Sequence, residues 1–339
     1  MARRWSQRRF VAAEASGFPF STETTIRIVS LLPSATEIVC DLGLRQNLVG
    51  VSHECDFPKG VRDLPVVTSS VIPKNAASNA IDESVRTHLE THSALYSLDV
   101  DLLTRLQPDL IVTQALCDVC AVSIDDVNAA VLAMAGESKV VNLEPMCLDD
   151  VFETMILVGS AAGIDSRARE RVSELKRRVA AVEERTNSAG REPIDVAFLE
   201  WIDPPFNAGH WTPELVRIAG GRDRLGNEGQ PSMMCRWNDL IELRPDVLCI
   251  ACCGFELDRV LRDLPLLATR DGWDELPCVR SARVYVFDGN AYFNRPGPRL
   301  VDSLEALAYT LYPDLHPRPI DYDDFVVASS VSDDLYAAG

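Results

Sequence analysis

The chain has 339 residues, 47% of them hydrophobic and 25% charged, and a formal net charge of −18. That is length enough for two domains with full cores, and an acidity that repels polyanions and so excludes nucleic acid as a partner. No apolar run is long enough to span a bilayer, and ten cysteines in so long a chain suggest reduced thiols rather than a disulfide scaffold.

Residues 1–25 read as a disordered tail. Arg3, Arg4, Arg8 and Arg9 are followed by no real hydrophobic region or cleavage site. The expectation is therefore a cytoplasmic protein, with a periplasmic or organellar destination as the alternative. The stretch 26–32 is a nearly all-apolar first strand, as a central parallel strand should be. Ser34 suits an N-cap, and Glu37 completes a capping box for a helix ending at Gly43. A second strand at 48–51 runs into a polar loop bearing His53, Glu54, Cys55 and Asp56. A short strand at 66–67 and helices at 81–89 and 100–106 follow. The strand 110–113 exits through Gln114, Cys117 and Cys120. A helix at 124–134 and a strand at 140–141 close an N-terminal α/β lobe over 26–147.

Residues 148–187 are helical with no internal strand signal. Leu148, Val151, Phe152, Met155 and Val158 recur three and four apart, and Gly163 sits where a helix-ending glycine belongs. Ala168, Val172, Leu175, Val179 and Val182 then form one narrow apolar stripe, with Glu174 placed to pair with Arg178 one turn on. Two readings are open: a stiff linker joining two lobes, or an ordinary crossover helix within one larger domain.

The pattern restarts over 188–312. A strand at 196–199 leads into Trp201, Phe206, His210 and Trp211, around Pro204-Pro205, and helices at 213–218 and 237–243 follow. The strand 247–250 exits through Cys253 and Phe255, and a helix runs from there to 267. The strand 284–287 exits through Asn290, Tyr292, Phe293 and Arg295, and a helix at 300–311 closes the lobe. Beyond Pro313 the chain turns acidic and reads as a tail over 313–339.

Ligands of open α/β sheets bind outside the carboxyl ends of the strands, and the unusual residues fall there in both halves. Two lobes would set His53, Cys55, Asp56, Gln114, Cys117 and Cys120 opposite Trp201, Phe206, His210, Trp211, Cys253, Phe255, Asn290, Tyr292, Phe293 and Arg295. Aromatic walls with a few polar groups describe a small-molecule site. Trp201 and Trp211 read either as core residues or as a rigid exposed platform, and Arg295 either as a solvated loop residue or as a group recognising an anion or amide. Cys117 and Cys120 read as a redox pair, as zinc ligands with His53 and Cys55, or as pocket lining. There is no Walker loop, dinucleotide glycine fingerprint, nucleophile elbow or zinc-deaminase pattern.

Ile28-Val-Ser-Leu-Leu-Pro-Ser-Ala-Thr-Glu-Ile-Val-Cys-Asp-Leu-Gly43, followed by Val49-Gly-Val-Ser-His-Glu-Cys-Asp-Phe-Pro58, resembles the opening of helical-backbone (class III) periplasmic substrate-binding proteins. Leu106-Gln-Pro-Asp-Leu-Ile-Val-Thr113 and Leu243-Arg-Pro-Asp-Val-Leu248 resemble that family's recurring strand entries. Within it the likeness is to the cobalamin-binding branch of ABC importers. The resemblance covers about residues 26 to 312. It implies two Rossmann-like α/β lobes, a long helical linker, little hinge motion and a ligand cleft between the lobes. The implied ligand is cobalamin or a related corrinoid, bound without catalysis by a monomer that an ABC permease would serve. By loop position, the implied corrin-stacking groups are Trp201, Phe206, Trp211, Phe255 and Tyr292, with His53 and His210 facing cobalt. The absence of a recognisable export signal and the cysteine-rich loops depart from the family pattern. They keep open an intracellular metal-binding or thiol-redox protein using His53, Cys55, Cys117 and Cys120, and a corrinoid-modifying enzyme.

Overall fold

The computed structural model describes residues 26–72, 76, 78–90, 95–114, 123–133 and 138–328. The N-terminal lobe is built on a four-stranded parallel sheet ordered β2-β1-β5-β6. Its strands are β1 (Ile28–Ser30), β2 (Leu48–Val51), β5 (Leu110–Thr113) and β6 (Lys139–Asn142). β1 and β5 are buried along their whole length, which is why their sequences are continuous apolar runs rather than alternating ones. Helices α1 (Pro33–Asp41), α3 (Val100–Leu106) and α4 (Ile124–Ala133) belong to the same lobe. Between β2 and α3 the chain makes an excursion: β3 (Thr68–Ser70) and β4 (Tyr96–Leu98) form an antiparallel ribbon, and α2 (Ser78–Glu90) lies between them in sequence.

The linker is a helical hairpin, α5 (Leu148–Ala161) and α6 (Asp165–Ser188). Gly163 turns it at φ +75°, the left-handed region that glycine enters without strain. Close to the turn, a Cβ on Gly159 would stand 2.3 Å from the Ala168 Cβ, so the two helices cross in contact there. The apolar positions of both helices join a single hydrophobic core that extends from Ile28 and Ile38 in the first lobe to Phe198, Leu304 and Leu307 in the second. Two arginines seven residues apart clip α6 to the lobes. Arg171 donates to Asp41 of α1 at 2.8 and 3.0 Å. Arg178 meets Asp302 at 2.5 Å and Glu305 at 2.8 Å. The expected Glu174–Arg178 pair is therefore not formed, and Glu174 pairs with Arg171 instead. Tertiary carboxylates offer Arg178 two partners where the helix face offered one.

The C-terminal lobe carries the sheet β10-β7-β12-β13-β14 with β8 paired to β7. Its strands are β7 (Ile194–Trp201), β8 (Phe206–Asn207), β10 (Gly221–Asp223), β12 (Val247–Ile250), β13 (Val284–Phe287) and β14 (Val326–Ala328), while β9 (Gly209–His210) and β11 (Asn227–Glu228) pair separately. The helices are α7 (Thr212–Ile218), α8 (Trp237–Leu243), α9 (Leu257–Asp263), α10 (Pro265–Ala268), α11 (Pro277–Arg280), α12 (Leu300–Leu311) and α13 (Tyr322–Phe325). The stretch after Pro313 is not a tail as far as it is described. β14 adds antiparallel to β13, with Tyr285 opposite Ala328, and Tyr322 and Phe325 are buried. Residues 329–339 lie outside the described residues.

Candidate functional site

The carboxyl ends of the two sheets meet. The loop after β2 carries Asp56, and the loop after β13 carries Asn290 and Arg295. Asn290 Nδ2 donates to Asp56 at 2.8 Å, and Arg295 reaches the same carboxylate at 2.6 and 3.1 Å. Arg295 also donates to Asn290 Oδ1 at 2.7 Å and to Glu37 of α1 at 3.1 Å. Arg299 closes the cluster on Glu37 at 2.8 and 2.5 Å and lies 4.1 Å from the Phe57 ring centre. The side chains of Glu37 and Arg295 are 1% and 7% exposed.

Two arginines and two carboxylates balance, and each charge is hydrogen-bonded, which is the condition for burying them. Burial alone would raise the Asp56 carboxyl, but the hydrogen bonds and charge of Arg295 outweigh it and hold that group below its ordinary value. Arg295 is thus neither solvated nor available to an outside anion. It is an inter-lobe clamp. Sequence reasoning gave Glu37 to a capping box. In fact α1 starts on Pro33 with no side-chain cap, and Glu37 turns to the second lobe.

A second inter-lobe contact lies on the excursion. Arg259 donates to the Ala76 carbonyl at 2.5 Å, and the Ser78 amide donates to Asp263 at 3.2 Å. Arg259 and Asp263 pair at 2.8 Å, and Ile81 joins the core cluster that contains Phe255, Val260 and Leu264.

The remaining candidate residues divide into three groups. Some face the core. Cys55 is buried with its sulfur 3.0 Å from Thr36 Oγ1, and burial pushes its thiol up to about 11. Trp211 is buried and donates through Nε1 to the Phe293 carbonyl at 2.6 Å, and Phe293 is itself buried against Phe198 and Phe287. These three, read from sequence as ligand-facing, instead face the interior: buried ring area and one mutual hydrogen bond hold Trp211 and Phe293, and Thr36 engages the Cys55 sulfur. Gln114 is also buried, at the end of β5.

A second group sits at strand exits with partners. His53 Nδ1 is 2.8 Å from Thr68 Oγ1, and its Nε2 is 3.0 Å from the Glu54 carboxylate. His210 stacks on Trp211 with ring centres 5.3 Å apart, and burial lowers its pKa, so the ring is neutral at pH 7. Tyr292 stacks on Phe325 at 4.0 Å and lines a hollow of about 360 Å³ together with Val182, His316 and Pro319. That hollow is shared with α6 and α12 rather than with the first lobe, so Tyr292 is placed away from the expected corrin face.

The third group forms a rim at the carboxyl end of β7. Trp201 packs on Phe255 with ring centres 4.7 Å apart, Phe206 stands opposite Trp201 in the β7–β8 pair, and Cys253 is exposed nearby in sequence. Cys117 and Cys120 lie outside the described residues. Among the described residues no group of three His, Cys, Asp or Glu side chains is placed to hold a metal ion, and the sulfur of Cys55 and Nδ1 of His53 are already engaged.

Two α/β lobes on a helical linker, with strand exits facing each other, define the solute-binding class of protein. The profile of the periplasmic binding protein family matches residues 28–291, and the chain belongs to that family. The family is a solute-binding type that serves ABC importers, not an enzyme type. The chain is 24% identical over 292 residues to an uncharacterized ABC transporter substrate-binding lipoprotein of Bacillus subtilis, covering 85% of this chain and 80% of the relative. It is 22% identical over 300 residues to a vitamin B12-binding protein of Vibrio cholerae, covering 87% and 91%. The crystal structure of the periplasmic B12-binding protein of that species superposes with a TM-score of 0.60 at 20% identity over 84% of this chain and 96% of the other. A periplasmic heme-binding protein of Pseudomonas aeruginosa superposes at 0.65 with 21% identity over 86% and 95%. The expected cytoplasmic location does not stand. The matched family is periplasmic, and the relatives are periplasmic proteins or a lipoprotein of ABC importers.

Proposed function

We propose that this protein binds cobalamin or a related corrinoid at the rim formed by Trp201 and Phe206, with Phe255 packed beneath Trp201, and hands it to an ABC permease. The pairing of the buried and half-buried arginines of the second lobe carries this reading. Arg295 is neutralised by Asp56 and Glu37, Arg270 by Asp203 at 2.8 Å, and Arg259 by Asp263 at 2.8 Å. A ligand bearing carboxylates would find these three arginines already paired, whereas a corrinoid, whose ring edge carries carboxamides, needs donors, acceptors and an apolar face. The rim aromatics supply that face. The vitamin B12-binding relatives support the same reading, while a heme-binding neighbour shares the fold. Equilibrium dialysis of the purified protein against cyanocobalamin tests it. Retention of one corrinoid per chain is expected, and free passage of the corrinoid contradicts it.

A further inference from the structure

The excursion between β2 and α3 leaves the first lobe and returns to it through one neck. β3 and β4 pair antiparallel from Thr68 opposite Leu98 to Ser70 opposite Tyr96, and the Val71 amide then donates to the Leu95 carbonyl at 3.1 Å. This neck stands beside one wall of the cleft. Thr68 Oγ1 is 2.8 Å from His53 Nδ1, and the Tyr96 and His53 ring centres are 5.6 Å apart. The far part of the excursion rests on the other wall. Arg259 of α9 donates to the Ala76 carbonyl, and Asp263 accepts from the amide of Ser78, the first residue of α2. The second lobe thus supplies the carboxylate that satisfies the N-terminus of this helix. Ile81 is buried in the cluster of Phe255, Val260 and Leu264. Arg259 in turn lies 4.4 Å from the Phe255 ring centre, and Phe255 packs on Trp201. The footing of α2 is therefore one ring removed from the rim.

The seating is light. On α2, Ser78 and Ile81 are buried while Asn79, Ala80, Glu83 and Arg86 are exposed, so one edge of the helix is engaged. Two polar links and one buried apolar side chain, with Val85 packed at the margin, hold it among the described residues. A segment held so lightly opens locally without unfolding either sheet. The lobes themselves are clamped at Asp56–Arg295 and braced by the α5–α6 hairpin, so a bulky ligand gains room at the rim by lifting α2 rather than by spreading the lobes. We infer that α2 is a strap that lifts to admit the corrinoid and seats on α9 to retain it. Ile81 and Arg259 are its positioning residues: Ile81 sets the seating, and Arg259 relays it through Phe255 to Trp201. This rests on the corrinoid reading of the site.

The test uses the full chain with cyanocobalamin. Stopped-flow absorbance gives association and dissociation rates for wild type, Ile81→Asp and Ile81→Val, and hydrogen exchange read by mass spectrometry follows α2 with and without the corrinoid. Ile81→Asp puts a charge on the seated edge and alters no strand. It should speed dissociation by about tenfold and association by about threefold, with Ile81→Val close to wild type. A side chain that merely propped the fold would not speed association when removed. Bound corrinoid should slow exchange in α2 by at least about fivefold in wild type and not in Ile81→Asp. Exchange in β7 and β12 reports whether the variant's lobes are folded, and Val85→Asp, at the margin of the same edge, is the milder second variant. Wild-type protein that binds cyanocobalamin with exchange in α2 unchanged, and folded variants with both rates at wild-type values, overturn this inference and spare the corrinoid reading. Wild-type protein that does not bind cyanocobalamin overturns both.

Discussion

Asp56 of the first lobe and Arg295 of the second meet at 2.6 Å in a buried cluster that also holds Glu37, Asn290 and Arg299. The contact joins the loop after β2 to the loop after β13, so it fixes the distance between the two sheets' carboxyl ends at one edge of the interface. The α5–α6 hairpin fixes it from behind. Together they describe a binding protein whose lobes are held by packing and charge.

Removing Arg295 leaves Asp56 with the Asn290 amide and an exposed Arg62 at 3.7 Å, and Glu37 with Arg299 alone. Arg295→Ala should lower the unfolding free energy by about 3–5 kcal/mol, the cost of breaking a buried ion pair from one side. Arg295→Lys keeps the charge but not the fork that spans Asp56, Glu37 and Asn290, and should recover only part of the loss. Urea denaturation reads both, and a change below about 1 kcal/mol for the alanine variant would contradict the clamp.

Stability should also depend on pH, in two directions. Burial pushes the carboxyls of Glu200 and Asp223 each up to about 7. A carboxyl raised in the folded state holds its proton more tightly there, so its stabilising contribution is present below the unfolded value near pH 4 and is lost as pH rises through about 7. Asp56 runs the other way. Its folded value is depressed, so its contribution is present above about pH 4 and is lost as pH falls through that lower value. Thermal unfolding should therefore be latest on the acid side of neutrality. Glu200→Gln should flatten the decline between about pH 4 and 7, and Asp56→Asn should leave that decline in place.

The helical hairpin permits a sharper test. Gly159→Leu drives a branched side chain into Ala168, where even a Cβ is too close. A loss of about 1–3 kcal/mol is expected, and the Gly159→Leu, Ala168→Gly double variant should regain part of it. Additive losses would mean that the two helices do not touch at this point.

Cys55, Cys249 and Cys252 are buried, and burial raises each thiol. Iodoacetamide should leave all three unmodified in the native protein and label them only after denaturation, since the thiolate is the reacting form. Rapid native labelling of Cys55 would reopen it as a ligand-facing or redox group.

The sequence was most readable where one physical effect dominates. Val247–Ile250 is buried along its length and reads as a central strand because no polar face interrupts it. The stripe from Ala168 to Val182 reads as a helix face for the same reason. Reading failed where a distant partner decides. β14 has no alternation of its own and exists because the edge of β13 offers it backbone hydrogen bonds. Glu37 fits a local capping pattern, yet two arginines more than 250 positions away claim it. Trp211 and Phe293 looked like site aromatics from their loops, but only the fold shows that each satisfies the other.

The central claim is that the rim at the end of β7 receives a corrinoid and not a carboxylate-bearing tetrapyrrole. Titration calorimetry of the purified protein with cyanocobalamin and with haemin, in the same buffer, measures it directly. The account predicts one-to-one binding of cyanocobalamin with an affinity at least about tenfold above that for haemin. Tighter binding of haemin, or heat from neither ligand, would contradict it.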